Sequence, residues 1–254
     1  MGNYICFVQG DWLAQTIWEK FERHFKACGY TCSLLSLPDQ GDQRWYRILH
    51  GKDVLTRLVD FYAVQIAALP SPPILIGHAL GGMVVQLLLD RGIGLAGVAI
   101  ASRPPKGFVP NLPSLLHIVT AKTEQLNGIC FVQMTPAQFL RHVAHPVSPH
   151  TIELPYNKIL SKIPRKLMIA TSLGMGSRLL FNQERGPLLL ISGGEDRLVT
   201  SSVVLANYYH QRRSLAPTDY FSFPCYGHLL MMQPGWEQVA DQIIEWLQQQ
   251  LGRF

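Results

Sequence analysis

Six short apolar runs, at Tyr4 to Val8, Thr31 to Leu35, Pro73 to Ile76, Leu95 to Ala101, Pro187 to Ile191 and Asp219 to Phe223, alternate with stretches of helical spacing. Strands this short and apolar are stable only when both faces are covered, which requires a mainly parallel sheet with helices on either side. The intervening stretches supply those helices. Trp18, Phe21, Phe25 and Cys28 recur at helical spacing before Gly29, and Val54, Leu58 and Phe61 begin an apolar face that continues to Leu69. After Pro234-Gly235, the residues Trp236, Val239, Ile243 and Trp246 form one stripe opposite Gln238, Asp241 and Glu245, as in a helix docked on a core. The expected fold is α/β, with a mostly parallel sheet of about six strands.

The alternation stops between about Ser102 and Gly186, where prolines, helical patterns and loops replace the strand signals. The expected organisation is a single domain, with a core from residues 1–101 and 187–254 and a mostly helical cap over 102–186 inserted above the sheet. A length of 254 residues suits one large α/β domain with such an insertion.

Composition excludes several classes. Hydrophobic residues make up 48% of the chain and charged residues 15%, which leaves no room for long disordered tails. The 22 Lys and Arg against 17 Asp and Glu give a net charge of +5, yet Arg165-Lys166 and Arg212-Arg213 are the only adjacent basic pairs. Nucleic acid is therefore not an expected partner, whereas an acidic substrate or carrier, or a second copy of the chain, fits a mildly positive surface. Five cysteines, an odd number without zinc-site spacing, argue against a disulfide framework or structural zinc and for a reducing, cytoplasmic compartment. The segment Met1 to Val8 has no charged signal-peptide start, and Cys6 stands where a myristoylation signal needs Ser or Thr. No apolar run reaches the ~18 residues of a membrane span, so no membrane insertion is expected.

The most informative segment is Gly77-His78-Ala79-Leu80-Gly81-Gly82, between the run Pro73 to Ile76 and a helical stretch from Met83 to Leu89. Strand, sharp turn with small flanking residues, helix: this is the context of G-x-S-x-G, in which the central side chain projects above the sheet. The turn brings backbone so close that side chains at positions 77 and 81 would collide. The helix then aims unpaired N–H groups and a partial positive charge at whatever sits above residue 79, and an oxyanion suits that position. Here the central residue is Ala79.

Chemistry above such a turn calls for an acid and a histidine later in the chain. Gly193-Gly194-Glu195-Asp196 follows the run at Pro187 to Ile191, and Tyr226-Gly227-His228 follows Asp219 to Phe223. Both lie at carboxyl ends of expected parallel strands, where open α/β sheets assemble their sites. The end of the run Leu95 to Ala101 offers no acid, because none occurs from Arg91 until Glu124. Asp196, with Glu195 as the weaker choice, is left to fix the tautomer of His228 and to stabilise its cation.

With these residues in place the chain resembles the α/β-hydrolase superfamily over essentially its full length, in particular small esterase-like members and the hydroxynitrile-lyase and plant methylesterase group. The resemblance is carried by Phe7-Val8-Gln9-Gly10-Asp11-Trp12, Trp18-Glu19-Lys20, Leu75-Ile76-Gly77-His78, Arg103-Pro104-Pro105-Lys106-Gly107, Thr135-Pro136 and Gln233-Pro234-Gly235-Trp236-Glu237. It implies hydrolysis or transfer of an ester-like acyl group, with the backbone N–H groups of Asp11 and Leu80 as the oxyanion hole. No cofactor and no metal are expected.

The chain departs from that family at three positions. Gln9 stands where histidine is usual, and Asp11 brings a carboxylate beside the oxyanion site, unfavourable unless turned outward. Ala79 closes the acyl-enzyme route, since a methyl group cannot attack a carbonyl. Three readings follow. A serine was replaced to inactivate the protein; or the protein works without one, His228 and Asp196 acting as an acid–base dyad for lyase, cyclase or cofactor-free oxygenase chemistry; or it binds a ligand without catalysis. The sequence favours the first, because alanine is the minimal replacement and its surroundings remain suited to catalysis.

The remaining candidates have ordinary readings. His78 organises hydrogen bonds beside the turn. His142, His145 and His150 lack nearby carboxylates before Glu153 and form no metal site. Gly174 and Gly176 lack the third glycine of a dinucleotide fingerprint, and Cys225 is read as a packed thiol. Trp12, Gln9, His78, Phe139 and Met231, with Leu140 and Met232 nearby in sequence, are the expected wall of a pocket for a substantially apolar small molecule.

Overall fold

Burial on both faces is what the short apolar strands require, and the architecture provides it. In the computed structural model the described residues are all except 1–2, 52, 104–119, 149–155, 174, 176–177, 182–183 and 253–254. The core elements run β1 (Tyr4–Val8), α1 (Glu19–Ala27), β2 (Thr31–Leu35), α2 (Arg44–Leu49), α3 (Val54–Ala67), β3 (Ile74–His78), α4 (Leu80–Leu89) and β4 (Ala96–Ile100). The segment between β4 and β8, expected as a cap, follows with β5 (Lys122–Leu126), β6 (Ile129–Gln133), α5 (Pro136–Gln138) running into a π turn at Phe139–Val143, α6 (Tyr156–Ile159), β7 (Ile163–Pro164) and α7 (Arg165–Ser172). The core resumes with β8 (Leu188–Gly193), α8 (Ser201–Gln211), β9 (Thr218–Phe223) and α9 (Trp236–Leu251).

Among the described residues six strands form one sheet in the order β2-β1-β3-β4-β8-β9, every neighbouring pair parallel. β3 and β4 are buried at every position, as central strands covered on both faces must be. α4 is buried along its whole length, packed on β3 and β4, while α1 packs against α9. The strand order reverses between β1 and β3, and in sheets of this kind ligands bind at the carboxyl edge beside such a reversal.

This inserted segment is not the mostly helical one that the sequence suggests. Among its described residues β5, β6 and β7 form a three-stranded antiparallel sheet. Four of the five β5 residues (KTEQL) are exposed, so the strand carries no apolar alternation. The signal that was there is Asn127-Gly128, with φ of 50° and 72°, the pair that a two-residue hairpin favours.

The tight turn after β3 has the crowding that its glycines imply. A Cβ at Gly77 would overlap the backbone of Gly81, and a Cβ at Gly81 would overlap the carbonyl of Val8. Backbone cannot swing aside as a flexible side chain does. Gly77→Ala is expected to cost about 3 kcal/mol or more, read from urea unfolding, whereas Gly29→Ala, with nothing within 4 Å of the new carbon, is expected to cost about 1 kcal/mol from its positive φ.

Candidate active site

Ala79 sits at φ 51°, ψ −113°, a conformation that residues with a side chain rarely adopt. It is pinned from both sides: its N–H donates to the Ile100 carbonyl at 3.0 Å, and its own carbonyl accepts from the Met83 and Arg103 amides at 3.2 Å each. The turn thereby fixes the amino end of α4 above the carboxyl edge of the sheet.

Two further loops meet there because their backbones are joined. Gly194 N–H donates to the Phe223 carbonyl and Glu195 N–H to the Tyr226 carbonyl, both at 2.9 Å, so the loop after β8 lies along the loop after β9. Gln233 accepts from the Gly227 amide at 3.0 Å and holds the second loop in place. The result brings His228 Nδ1 to 2.8 Å from Asp196 Oδ2. The other oxygen, Asp196 Oδ1, accepts from the Leu198 and Val199 amides at 2.8 and 2.9 Å. With Nδ1–H donated to the carboxylate, Nε2 is left as the exchangeable nitrogen of His228. Glu195 faces solvent, 3.5 Å from His145, and takes no part in this pair.

His78 lies edge-on to His228, ring centroids 4.4 Å apart, and its Nε2–H donates to the His228 carbonyl at 2.9 Å. Burial, and then the neighbouring His228, hold its pKa well below the ordinary histidine value, so His78 is a neutral donor.

Asp11 overturns an expectation. Its carboxylate is turned inward, with a fully buried side chain. Oδ1 accepts from the Leu80 amide at 3.2 Å, and Oδ2 is paired with Arg103 Nη2. The helix N-terminus and the guanidinium together supply the charge that makes a buried carboxylate tolerable. The Leu80 N–H is therefore spent on a side chain of the protein itself.

Arg103, which follows β4, reaches from this pair to the cap: its Nη1 donates to Ser172 Oγ on α7 at 3.2 Å. The loop that carries Asp11 is also stitched to the cap. Leu13 and Leu160 form an antiparallel bridge, Ser161 N–H donates to the Trp12 carbonyl at 2.8 Å, and Ala14 N–H donates to the Ile159 carbonyl at 2.6 Å.

The other expected site residues are distributed unevenly. Gln9 spends its side-chain carbonyl on the Leu37 amide at 2.9 Å, bracing the loop after β1 against the exit of β2. Trp12, Phe139 and Met231 are buried in one continuous apolar cluster, whereas Leu140 is exposed. Cys225 is exposed rather than packed. Among the described residues no three His, Cys, Asp or Glu side chains gather as a metal site would require, and no helix is long and apolar enough to cross a membrane. Gly174, Gly176, His150, Glu153 and Pro104 to Gly107 lie outside the described residues.

A sequence profile described as the alpha/beta hydrolase family matches residues 7–242. The chain belongs to that family. No curated protein matches it. Among solved structures of this fold, tomato methylketone synthase I complexed with 2-tridecanone is 16% identical, with a TM-score of 0.71 over 98% of this chain and 99% of that one. Polyneuridine aldehyde esterase is 14% identical, with a TM-score of 0.70 over 96% and 99%. A methylesterase from Arabidopsis is 17% identical, with a TM-score of 0.65 over 96% and 98%. Ala79 is the centre of the tight turn between β3 and α4, and the amide that Asp11 engages belongs to the residue that follows it. Arg103 entered the sequence reading only as the first residue of a family-like stretch. Its signal was available as a lone cation at a strand end that faces the strand end carrying Asp11.

Two outcomes follow from this geometry. Unfolded histidine takes up a proton below about pH 6.5, while folded His78 resists it, so stability is fully present above that pH and falls as pH drops, by up to about 1.4 kcal/mol per unit. His78→Gln should flatten that slope in urea unfolding between about pH 6.5 and 5. Arg103→Met strands the buried Asp11 carboxylate and should cost about 3–5 kcal/mol. Pairing it with Asp11→Asn should recover most of that loss.

Proposed function

We propose that this alpha/beta hydrolase carries out non-hydrolytic acid–base chemistry on a small apolar molecule, with His228 as the proton-transferring group and Asp196 as the residue that orients it. The observation that carries this reading is the Asp11 carboxylate on the Leu80 amide. Ester hydrolysis builds negative charge at that amide, and losing one such donor costs about 10²–10³ in rate. A carboxylate in the donor's place also sets negative charge, offset only in part by Arg103, beside the position where that charge would build. Restoring a serine at position 79 supplies a nucleophile and leaves both penalties untouched. This weighs against a hydrolase that has merely lost its serine, the reading that the sequence alone favours.

The remaining parts suit proton transfer. Asp196 fixes the imidazole tautomer and steadies the imidazolium that forms when Nε2 takes a proton. His78, kept neutral by burial, adds no positive charge beside it. Trp12, Phe139 and Met231, all part of the buried apolar cluster, supply the apolar surroundings for a substrate whose reacting group lies above Ala79, where a methyl stands in place of a nucleophile. Neighbours of this fold include esterases and a methylketone synthase bound to a ketone, so the architecture itself does not require hydrolysis.

The reading is tested with two probes. Ala79→Ser should remain unlabelled by a fluorophosphonate and release no nitrophenol from short acyl esters, while Ala79→Ser with Asp11→Gly should gain both reactions. In deuterated buffer the unaltered protein should exchange the α-protons of 2-tridecanone, and His228→Ala should not. Efficient hydrolysis by Ala79→Ser alone, or exchange that survives the loss of His228, would overturn the proposal.

A further inference from the structure

We infer that the Leu80 amide and the Arg103 guanidinium form a carboxylate-binding site, that Asp11 occupies it as an internal stand-in, and that the ligand is an apolar molecule bearing a carboxylate. The inference rests on the reading of the space above Ala79 as the substrate site, and it names the substrate class of that site.

The first support is the way Asp11 is held. One oxygen takes an N–H at the amino end of the ten-residue helix α4, and the other takes a guanidinium N–H. These are the two kinds of donor that bind an external carboxylate. The second support is Arg103 itself. It is 8% exposed, yet its Nε–H is buried with no partner among the described residues. Asp11 reaches Nη2 alone and Ser172 is bonded to Nη1, so the internal pair leaves one arm of the planar fork unused. A guanidinium can grip a carboxylate with two parallel N–H donors, and a buried donor without an acceptor is costly to maintain. A ligand carboxylate entering beside Leu80 can take both the position of Asp11 and the free Nε–H.

The exchange requires little movement. The backbone around Asp11 is locked to the cap through Trp12, Leu13 and Ala14, so Asp11 leaves by rotating its side chain while the loop stays in place. Only one carboxylate can hold the Leu80 amide. Asp11 is thus a built-in competitor that lowers affinity and rejects ligands too weak to displace it.

Calorimetric titration with octanoate, and with octan-1-ol as the uncharged counterpart, tests this. If the vacated state is at most about 10% populated, Asp11→Ala should bind octanoate about tenfold or more tightly than the unaltered protein, with octan-1-ol binding unchanged. Adding Arg103→Gln should abolish the gain. Asp11→Asn, which keeps shape while removing charge, should shift octanoate affinity in the same direction, so the test survives if the alanine variant does not fold. Equal octanoate affinity with and without Asp11, or a gain that persists without Arg103, would overturn the inference. Octanoate binding needs no proton transfer by His228, so this result stands apart from the ketone-exchange experiment.

Discussion

A single buried carboxylate, Asp11, bridges the amino end of the helix after the nucleophile turn and a buried arginine, and the character of the site depends on that bridge. The turn, the strained residue at its centre and the helix behind it together present positive potential above the sheet. In a hydrolase that potential waits for charge to develop in the transition state. Here it is already neutralised in the resting protein. In the proposed reading, the methyl at position 79 and the engaged Leu80 amide are two aspects of one site, in which acyl transfer would lack its attacking group and one of its charge-stabilising donors.

The histidine and its partner are built independently of that bridge. They depend on the zipper between the loops after β8 and β9 and on two amides that hold the second oxygen of Asp196. The His228–Asp196 pair is therefore assembled whether or not Asp11 holds the Leu80 amide. The Arg103 contact to Ser172 and the bridge between Leu13 and Leu160 tie the Asp11–Arg103 pair to the inserted segment.

Much of this was legible in the chain. The six core strands declare themselves because burial on both faces demands unbroken apolar runs, and the nucleophile turn because backbone contact demands glycine at positions 77 and 81. Asp196 emerged by elimination, since the β4 end has no acid to offer. The cap hairpin was hidden because its outer strand faces solvent and needs no apolar pattern. The Asp11–Arg103 pair was harder to see, because its members lie 92 residues apart and nothing local in either segment points to the other. The available clue was scarcity: in a chain with 15% charged residues, opposite charges at two strand ends of the same sheet edge have few alternatives to each other.

The most direct test of the account is the amide resonance of Leu80, followed by nuclear magnetic resonance as the Asp11 carboxylate is titrated. A charge-assisted hydrogen bond should place that proton downfield and make it move with the ionisation of Asp11, and Asp11→Asn should abolish the movement. A Leu80 resonance indifferent to the charge on Asp11 would mean that the donor is open, and would contradict the account.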